Sequence, residues 1–248
     1  MSTISIIYAA NRPIGLQCLR KMLSAGITPS ALLVAEGPAA SAHEKMHTLL
    51  PDIPIVSGKV FRSPENIALL RSLKPDYLIS VHFPYIIPQE IITLPRIGAL
   101  NLHPAYLPFN RGWNTPTWAI VDRTPFGATL HWIDEGIDTG DIALQECVEV
   151  LPTDTADGLY QRALKAEEHI FEKAIPHLKS QTLPRLPQEG EGTSHAKGDI
   201  ESIRDLDACA DPALRERIVR GLTTNDPEEA AYRMIDGKRT PVRFEPHA

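Results

Sequence analysis

Asn101 and His103 stand two residues apart at the end of the apolar segment Ala99 to His103, and Pro104 follows at once. Alternate side chains of an extended strand leave the same face, so the amide and the imidazole project together. Pro104 then turns the chain out of the sheet. Downstream, His131-Trp132-Ile133 leads into Asp134-Glu135-Gly136-Ile137-Asp138-Thr139-Gly140, a polar, glycine-rich loop that supplies carboxylates. An amide donor, a titratable imidazole and a carboxylate from a separate loop are the parts needed for acyl transfer to an amine. Asn-x-His alone also suits a satisfied core pair; the acidic loop turns the reading toward catalysis.

Two other constellations lead elsewhere. His43-Glu44-Lys45-Met46-His47 matches H-E-x-x-H, in which two histidines one helical turn apart bind zinc and the glutamate activates water. Glu65 is a conceivable third ligand for a zinc hydrolase. However, Pro51 ends that segment four residues on, and only Met46, Leu49 and Leu50 give it an apolar face. Two exposed histidines on a surface helix, and no metal, are expected. The turn after the first strand reads Ala9-Ala10-Asn11-Arg12-Pro13 with a lone Gly15, so neither G-x-G-x-x-G nor a P-loop is present. Dinucleotide oxidoreductases and P-loop enzymes need those glycines for close backbone approach to phosphate. Asn11 and Arg12 either contact an anionic substrate at the next helix N-terminus or serve as a polar turn and cap.

The elements that must position these groups alternate in period. Apolar runs at Ile4–Tyr8, Ala31–Ala35, Ile53–Val56, Tyr77–Val81 and Ala99–His103 are strands, separated by helical patterns at 14–23, 39–50, 65–73 and 88–92. Apolar strands separated by helices predict an α/β fold, a mostly parallel sheet covered on both faces. Ligands of such sheets sit beyond the carboxyl ends of the strands, which directs attention to the segments after Val81 and Leu100. After Trp118 two strands, 128–133 and 143–150, are expected to pair antiparallel. Asp154 or Thr155 then caps a long helix, Ala156 to Leu178, with Leu159, Ala163, Ala166 and Ile170 on one face. Domain boundaries are expected at 1–183 for the main domain, 184–193 for a Pro- and Gly-rich linker and 194–248 for a small subdomain. That subdomain holds a helix near 213–222 and a hairpin at Asp236-Gly237. It is too small for an independent core and is expected to dock on the main domain or a second subunit.

The chain has 248 residues, 25 Lys+Arg against 31 Asp+Glu, and a formal charge of −6. That balance argues against a partner whose phosphates must be neutralised across a broad basic face. Three cysteines, Cys18, Cys147 and Cys209, are too scattered for a disulfide framework or a Cys-x-x-Cys site. Met1 leads into an apolar segment without the basic start of a signal peptide, and no apolar run approaches the roughly 20 residues that span a bilayer. A cytoplasmic protein is expected, with neither a membrane nor a nucleic-acid partner.

Over roughly Ile4 to Leu178 the sequence resembles the formyltransferase family that uses 10-formyltetrahydrofolate. The motifs that carry the likeness are Asn101-Leu102-His103-Pro104-Ala105-Tyr106-Leu107-Pro108 and the loop ending in Asp138. The resemblance implies a Rossmann-like formyltransferase fold, with Asn101, His103 and Asp138 as the catalytic trio. It implies that Phe83, Pro84, Tyr85, Ile86 and Ile87 line a pterin pocket together with Ile133 and Asp134; the same residues also suit an apolar strand-to-helix turn. The implied reaction is amine attack on the formyl carbon. Asn101 and protonated His103 would hold the oxyanion, and Asp138 would pair with the charged imidazole and help move the proton.

Phe109-Asn110-Arg111-Gly112-Trp113-Asn114 is similar to the sugar-nucleotide branch of that family, which formylates amino groups on dideoxy sugars of surface polysaccharide. The implied substrate is a GDP- or dTDP-linked amino sugar, with GDP-perosamine and lipopolysaccharide O-antigen synthesis favoured on overall likeness. Arg111 would meet a phosphate, and Asn110 or Trp113 the sugar or base; a surface arginine and a core tryptophan remain the alternative. His195 and Lys197 are further phosphate candidates or members of a solvated loop. Glycinamide ribonucleotide, aminoacyl-tRNA or a peptide precursor are alternative amines, and a non-catalytic folate- or nucleotide-sugar-binding module is the alternative of another class. The final hairpin is a plausible contact for a homodimer, because an isolated two-stranded ribbon is marginal unless its apolar face is covered.

Overall fold

A computed structural model describes residues 4–37, 40, 42–224 and 227–245. Its chain order begins β1 (Ile6–Ala10), α1 (Arg12–Ser24), β2 (Ala31–Val34), α2 (His43–Leu49), β3 (Ile55–Ser57), α3 (Pro64–Ser72), β4 (Tyr77–Val81), α4 (Gln89–Ile92) and β5 (Gly98–His103). It continues with β6 (Arg111–Gly112), α5 (Thr115–Asp122), β7 (Phe126–Trp132), β8 (Ile142–Val148), α6 (Ala156–Ser180), β9 (Ser194–His195), α7 (Pro212–Gly221), β10 (Ala231–Ile235) and β11 (Lys238–Val242).

The chain divides into two units: 1–103, 130–144 and 167–187 form the first, and 104–129, 145–166 and 188–248 the second. Both are interleaved in sequence, and one crossing lies at Pro187, inside the expected linker.

The sheet has the order β3-β2-β1-β4-β5-β7-β8, with β1 to β5 in the first unit. β1, β2 and β4 are buried at every position, as expected of strands covered on both faces. They run parallel, with Tyr8 opposite Leu32 on one side and Ile79 on the other, and Ile79 in turn opposite Leu100 of β5. β7 and β8 are joined only by 133–141, too short for a parallel crossover, and the Trp132 amide donates to Asp141 O at 2.8 Å where the hairpin closes. The chain order reverses between β1 and β4, so the switch point of this sheet lies beyond Ala10 and Val81.

Local chemistry sets the helix starts. Ser63 Oγ accepts from the Asn66 amide ahead of α3, and Asp211 accepts from the Ala213 amide ahead of α7, each with proline in the first turn. Of the two candidate caps of α6, Thr155 takes the role, accepting from Gly158 N at 3.3 Å. Asp154 instead accepts from Leu151 N at 2.6 Å and pairs with Arg162. The helix expected over 39–50 is shorter, His43–Leu49; positions 39 and 41 lie outside the described residues.

In the second unit, Trp118 and Val121 of α5 share a core with Ile200, Leu206, Ile218, Leu222 and Ala231. Residues beyond 194 thus find their apolar partners on α5. Asp236 and Gly237 both take left-handed φ, 50° and 73°, and Ile235 lies opposite Lys238, the hairpin that Asp-Gly predicts. Among the described residues no helix is long and apolar enough to cross a membrane.

Candidate active site

Four side chains of the first unit converge beyond the end of β5. Asn101 and His103 leave the same face of the strand. The 133–141 loop returns Asp138 to them at a left-handed φ of 55°, a region that Asp and Asn tolerate better than other residues with a side chain. The loop is internally braced, because Asp134 Oδ1 accepts from Gly136 N at 3.0 Å and from Thr139 Oγ1 at 2.7 Å. It is also tight: a Cβ on Gly140 would lie 2.0 Å from Trp132 O.

Asn101 Nδ2 lies 3.5 Å from Asp138 Oδ1, and His103 Nε2 lies 3.5 Å from Asp138 Oδ2. The fourth member is His131, which the sequence displayed just before the loop but did not single out. Its Nδ1 lies 2.8 Å from Trp132 O; a carbonyl only accepts, so Nδ1 carries the proton. Its Nε2 then faces Asn101 Nδ2 and Asp138 Oδ1, each at 3.3 Å. A neutral ring accepts from the Asn101 amide there, whereas a charged ring donates to Asp138. The signal that would have found His131 is the adjacency of β7 to β5, which no local pattern encodes.

The turn after β4 presents the apolar groups. Phe83, Tyr85, Ile87 and Ile133 pack in one cluster with Phe61, Leu78, Ile91 and Ala99. Phe61, Phe83 and Tyr85 stack edge to face or tilted at 5.3–6.1 Å between centroids. Arg62 Nη2 donates to Ile86 O at 2.6 Å, and the Glu36 amide donates to the Tyr85 hydroxyl at 3.4 Å. Pro84 is exposed, and Ile86 stands out from this frame at 82% exposure.

The remaining expected residues fall in both units. Asn11 occupies the N-cap of α1 without a side-chain cap hydrogen bond, is buried, and donates its backbone N–H to Val81 O at 3.1 Å; Arg12 is exposed at a φ of 61°. In the second unit Asn110 is buried, its Nδ2 donating to Pro125 O at 3.1 Å and its Oδ1 accepting from Thr124 at 3.0 Å, so the amide braces its own loop. Arg111 Nε and Nη2 both donate to Gln188 Oε1, at 3.1 and 2.6 Å. Trp113 is half exposed with Lys197 Nζ 5.3 Å from its ring centroid. His195 stacks on Trp118 at 3.8 Å and meets Asp122 at 3.0 Å.

His43 and His47 lie on the seven-residue α2, of which only Met46 is buried. Among the described residues no three His, Cys, Asp or Glu side chains cluster as metal ligands. Away from the trio, burial pushes the Cys18 thiol and the Tyr8 hydroxyl well above their ordinary values; the nearby Glu167 charge raises Cys18 further.

The model of the formyl transferase family matches residues 29–175, more than half of the chain. The chain belongs to the formyl transferase family. This formyl transferase is 27% identical over 94% of its length to a methionyl-tRNA formyltransferase of Lachnospira eligens, of which it covers 76%. Its fold is similar to that of a 4-N formyltransferase from Francisella tularensis, with a TM-score of 0.84 and 22% identity, covering 99% of both chains. It is similar, at a TM-score of 0.68 and 20% identity over 95% of this chain and 86% of the other, to an N-formyltransferase from Helicobacter canadensis solved with folinic acid and dTDP-3-aminofucose.

Proposed function

We propose that this formyl transferase moves a formyl group from 10-formyltetrahydrofolate to the primary amine of a nucleotide-linked dideoxy amino sugar. The observation that carries the chemistry is the convergence of the Asn101 amide and two imidazoles on the Asp138 carboxylate beyond β5. The folate, when bound, supplies an activated formyl carbon. Phe83, Pro84, Tyr85, Ile86, Ile87 and Ile133 suit it, because aromatic and branched faces match a flat heterocycle; Asp134 offers a carboxylate to its polar edge.

Asn101 donates from Nδ2 toward the formyl oxygen, where negative charge develops as the amine attacks. His103, as the imidazolium, offers a second donor to the same oxygen. Asp138 pairs with that ring, takes the amine proton directly or through water, and returns it to the folate nitrogen as the bond between that nitrogen and the formyl carbon breaks and tetrahydrofolate leaves. The 3.5 Å separations suit a resting site whose hydrogen bonds tighten around substrate. His131, accepting at Nε2 from one N–H of the Asn101 amide, fixes its nitrogen end, and the second N–H, which faces Asp138 in the resting site, turns to the formyl oxygen.

For the amine, similarity of fold, over 95% of this chain, to the Helicobacter enzyme solved with dTDP-3-aminofucose supports an amino-sugar nucleotide. The charge of −6 also favours a small substrate over transfer RNA. GDP-perosamine, destined for lipopolysaccharide O-antigen, is the lead candidate. The sequence relatives support a second reading, an aminoacyl-tRNA substrate. Tetrahydrofolate release, followed by absorbance, separates the two across a panel of GDP- and dTDP-linked 3- and 4-amino sugars, glycinamide ribonucleotide and methionyl-tRNA. Turnover with an amino sugar is expected; turnover only with the tRNA or the ribonucleotide overturns the assignment. The catalytic part is placed at 1–183 and the appended part at 194–248, working in the cytoplasm. Met234 and Ile235, about half exposed on the β10–β11 hairpin, support contact with a second copy, which light scattering of the purified chain tests.

A further inference from the structure

The apolar turn proposed to receive the folate leaves β4 through His82, and His82 is in an unusual state. Its φ is +50°, left-handed backbone that a residue with a Cβ adopts only where its surroundings hold it there. The holding contact crosses from α6: His82 Nε2 lies 2.9 Å from each oxygen of the Glu167 carboxylate. Glu167 is wholly buried, and the His82 side chain is 7% exposed. A carboxylate taken fully out of water is tolerated when a partner and hydrogen bonds compensate it, and becomes an uncompensated buried charge when the partner is removed. Around the pair stand the buried Cys18, whose thiol feels the Glu167 charge, and Tyr8, whose hydroxyl donates to Gly15 O at 2.7 Å. None of these groups belongs to the trio.

The position matters more than the pairing. His82 lies at the switch point of the sheet, one residue before Phe83; on the other side of that point Arg12, two residues beyond Ala10, also takes a left-handed φ, 61°. The other tethers of the turn act farther along, at Phe83, Tyr85 and Ile86. We infer that the buried His82–Glu167 pair is a positioning device for the folate: by locking the backbone at the base of the turn it aims Phe83–Ile87 and so sets donor affinity, without touching the reacting atoms. This rests on the reading of Phe83–Ile87 as the donor-binding turn.

The test is Glu167→Gln in the full chain, probed with 5-formyltetrahydrofolate as a non-transferred analogue. Calorimetric titration is expected to show the dissociation constant rising about tenfold or more. Hydrogen exchange across 82–87 should quicken, while kcat at saturating donor stays within about twofold. The double variant His82→Gln/Glu167→Gln, an uncharged amide pair, is expected to regain affinity to within about threefold of the parent. Should Glu167→Gln not fold, His82→Gln, which keeps a donor toward Glu167, carries the same readouts. Unchanged affinity and exchange in the variant overturn the inference, as does a loss of kcat at unchanged donor affinity. A parent enzyme that fails to bind the analogue overturns the donor-turn reading itself, and an analogue that binds the parent and the variant alike overturns only the role of the pair.

Discussion

Asp138→Asn isolates the charge of the site with little disturbance of shape. Asparagine accepts the left-handed backbone that position 138 requires, φ 55°, as readily as aspartate, so the loop braced by Asp134 keeps its course. The amide oxygen still accepts from Asn101 Nδ2. What disappears is the acceptor for the amine proton, and with it the attraction between a carboxylate and the imidazolium of His103 at 3.5 Å, which alone sets a lower bound on the loss. At an effective dielectric near 20 that attraction is about 5 kcal/mol. A remaining dipole and local rearrangement recover part of it, leaving a loss of about 3–4 kcal/mol from the transition state, or about 10²–10³ in kcat. The affinity for 5-formyltetrahydrofolate should change by less than about threefold, because the apolar turn is untouched. Stopped-time absorbance of tetrahydrofolate release gives kcat, and calorimetry gives the affinity. A variant that retains kcat to within about tenfold would refute the reasoning, since an anion 3.5 Å from an imidazolium cannot then be stabilising the transition state.

Three further outcomes follow from the same structure. A Cβ on Gly112, at φ 89°, would meet His195 O at 2.3 Å and force β6 from β9, where Arg111 N donates to Thr193 O at 2.9 Å and Trp113 N to His195 O at 3.0 Å. Two lost bonds and the left-handed penalty total about 3–4 kcal/mol, so Gly112→Ala should lower Tm by about 6–16 °C in a calorimetric scan. A drop under about 3 °C refutes it. Trp113→Ala should raise KM for the nucleotide sugar about tenfold with kcat within about threefold and Tm unmoved, because the ring is half exposed; equal effects on kcat and kcat/KM would place it in the transition state instead. The Cys18 thiol, raised by burial above its ordinary 9.0, stays protonated in the folded chain while the unfolded chain releases its proton. Its contribution is therefore complete below pH 9 and declines as pH rises toward the folded value, by about 1.4 kcal/mol per pH unit. Urea midpoints of Cys18→Ala should lose the part of the slope that begins near 9 and keep the part that Tyr8 adds near 10; identical slopes in parent and variant count against it.

What the sequence disclosed, and what it withheld, follows the range over which each signal acts. β4 was readable residue for residue because Tyr77 to Val81 is an unbroken apolar run, and the hairpin turn was readable because Asp-Gly has few other uses. Asn101 and His103 were readable for the same reason: a period of two is a local property, and so is the loop that carries Asp138. His131 was not, since its value comes from β7 lying beside β5, a choice of sheet order rather than of sequence. Nor was the engagement of Arg111 by Gln188, 77 positions away, which ties up the cation expected to meet a phosphate. A diphosphate, were it to meet Arg111 as proposed, would have to compete with the Gln188 amide for the same guanidinium face. Gln188 is neutral, so the exchange that the proposed substrate would require strands no buried charge. Likewise the buried His82–Glu167 pair joins residues 85 apart and is invisible to any periodicity, yet it stands one residue from the turn that motif reading had singled out. Local pattern names the groups that do chemistry, and the long-range pairs decide where those groups point.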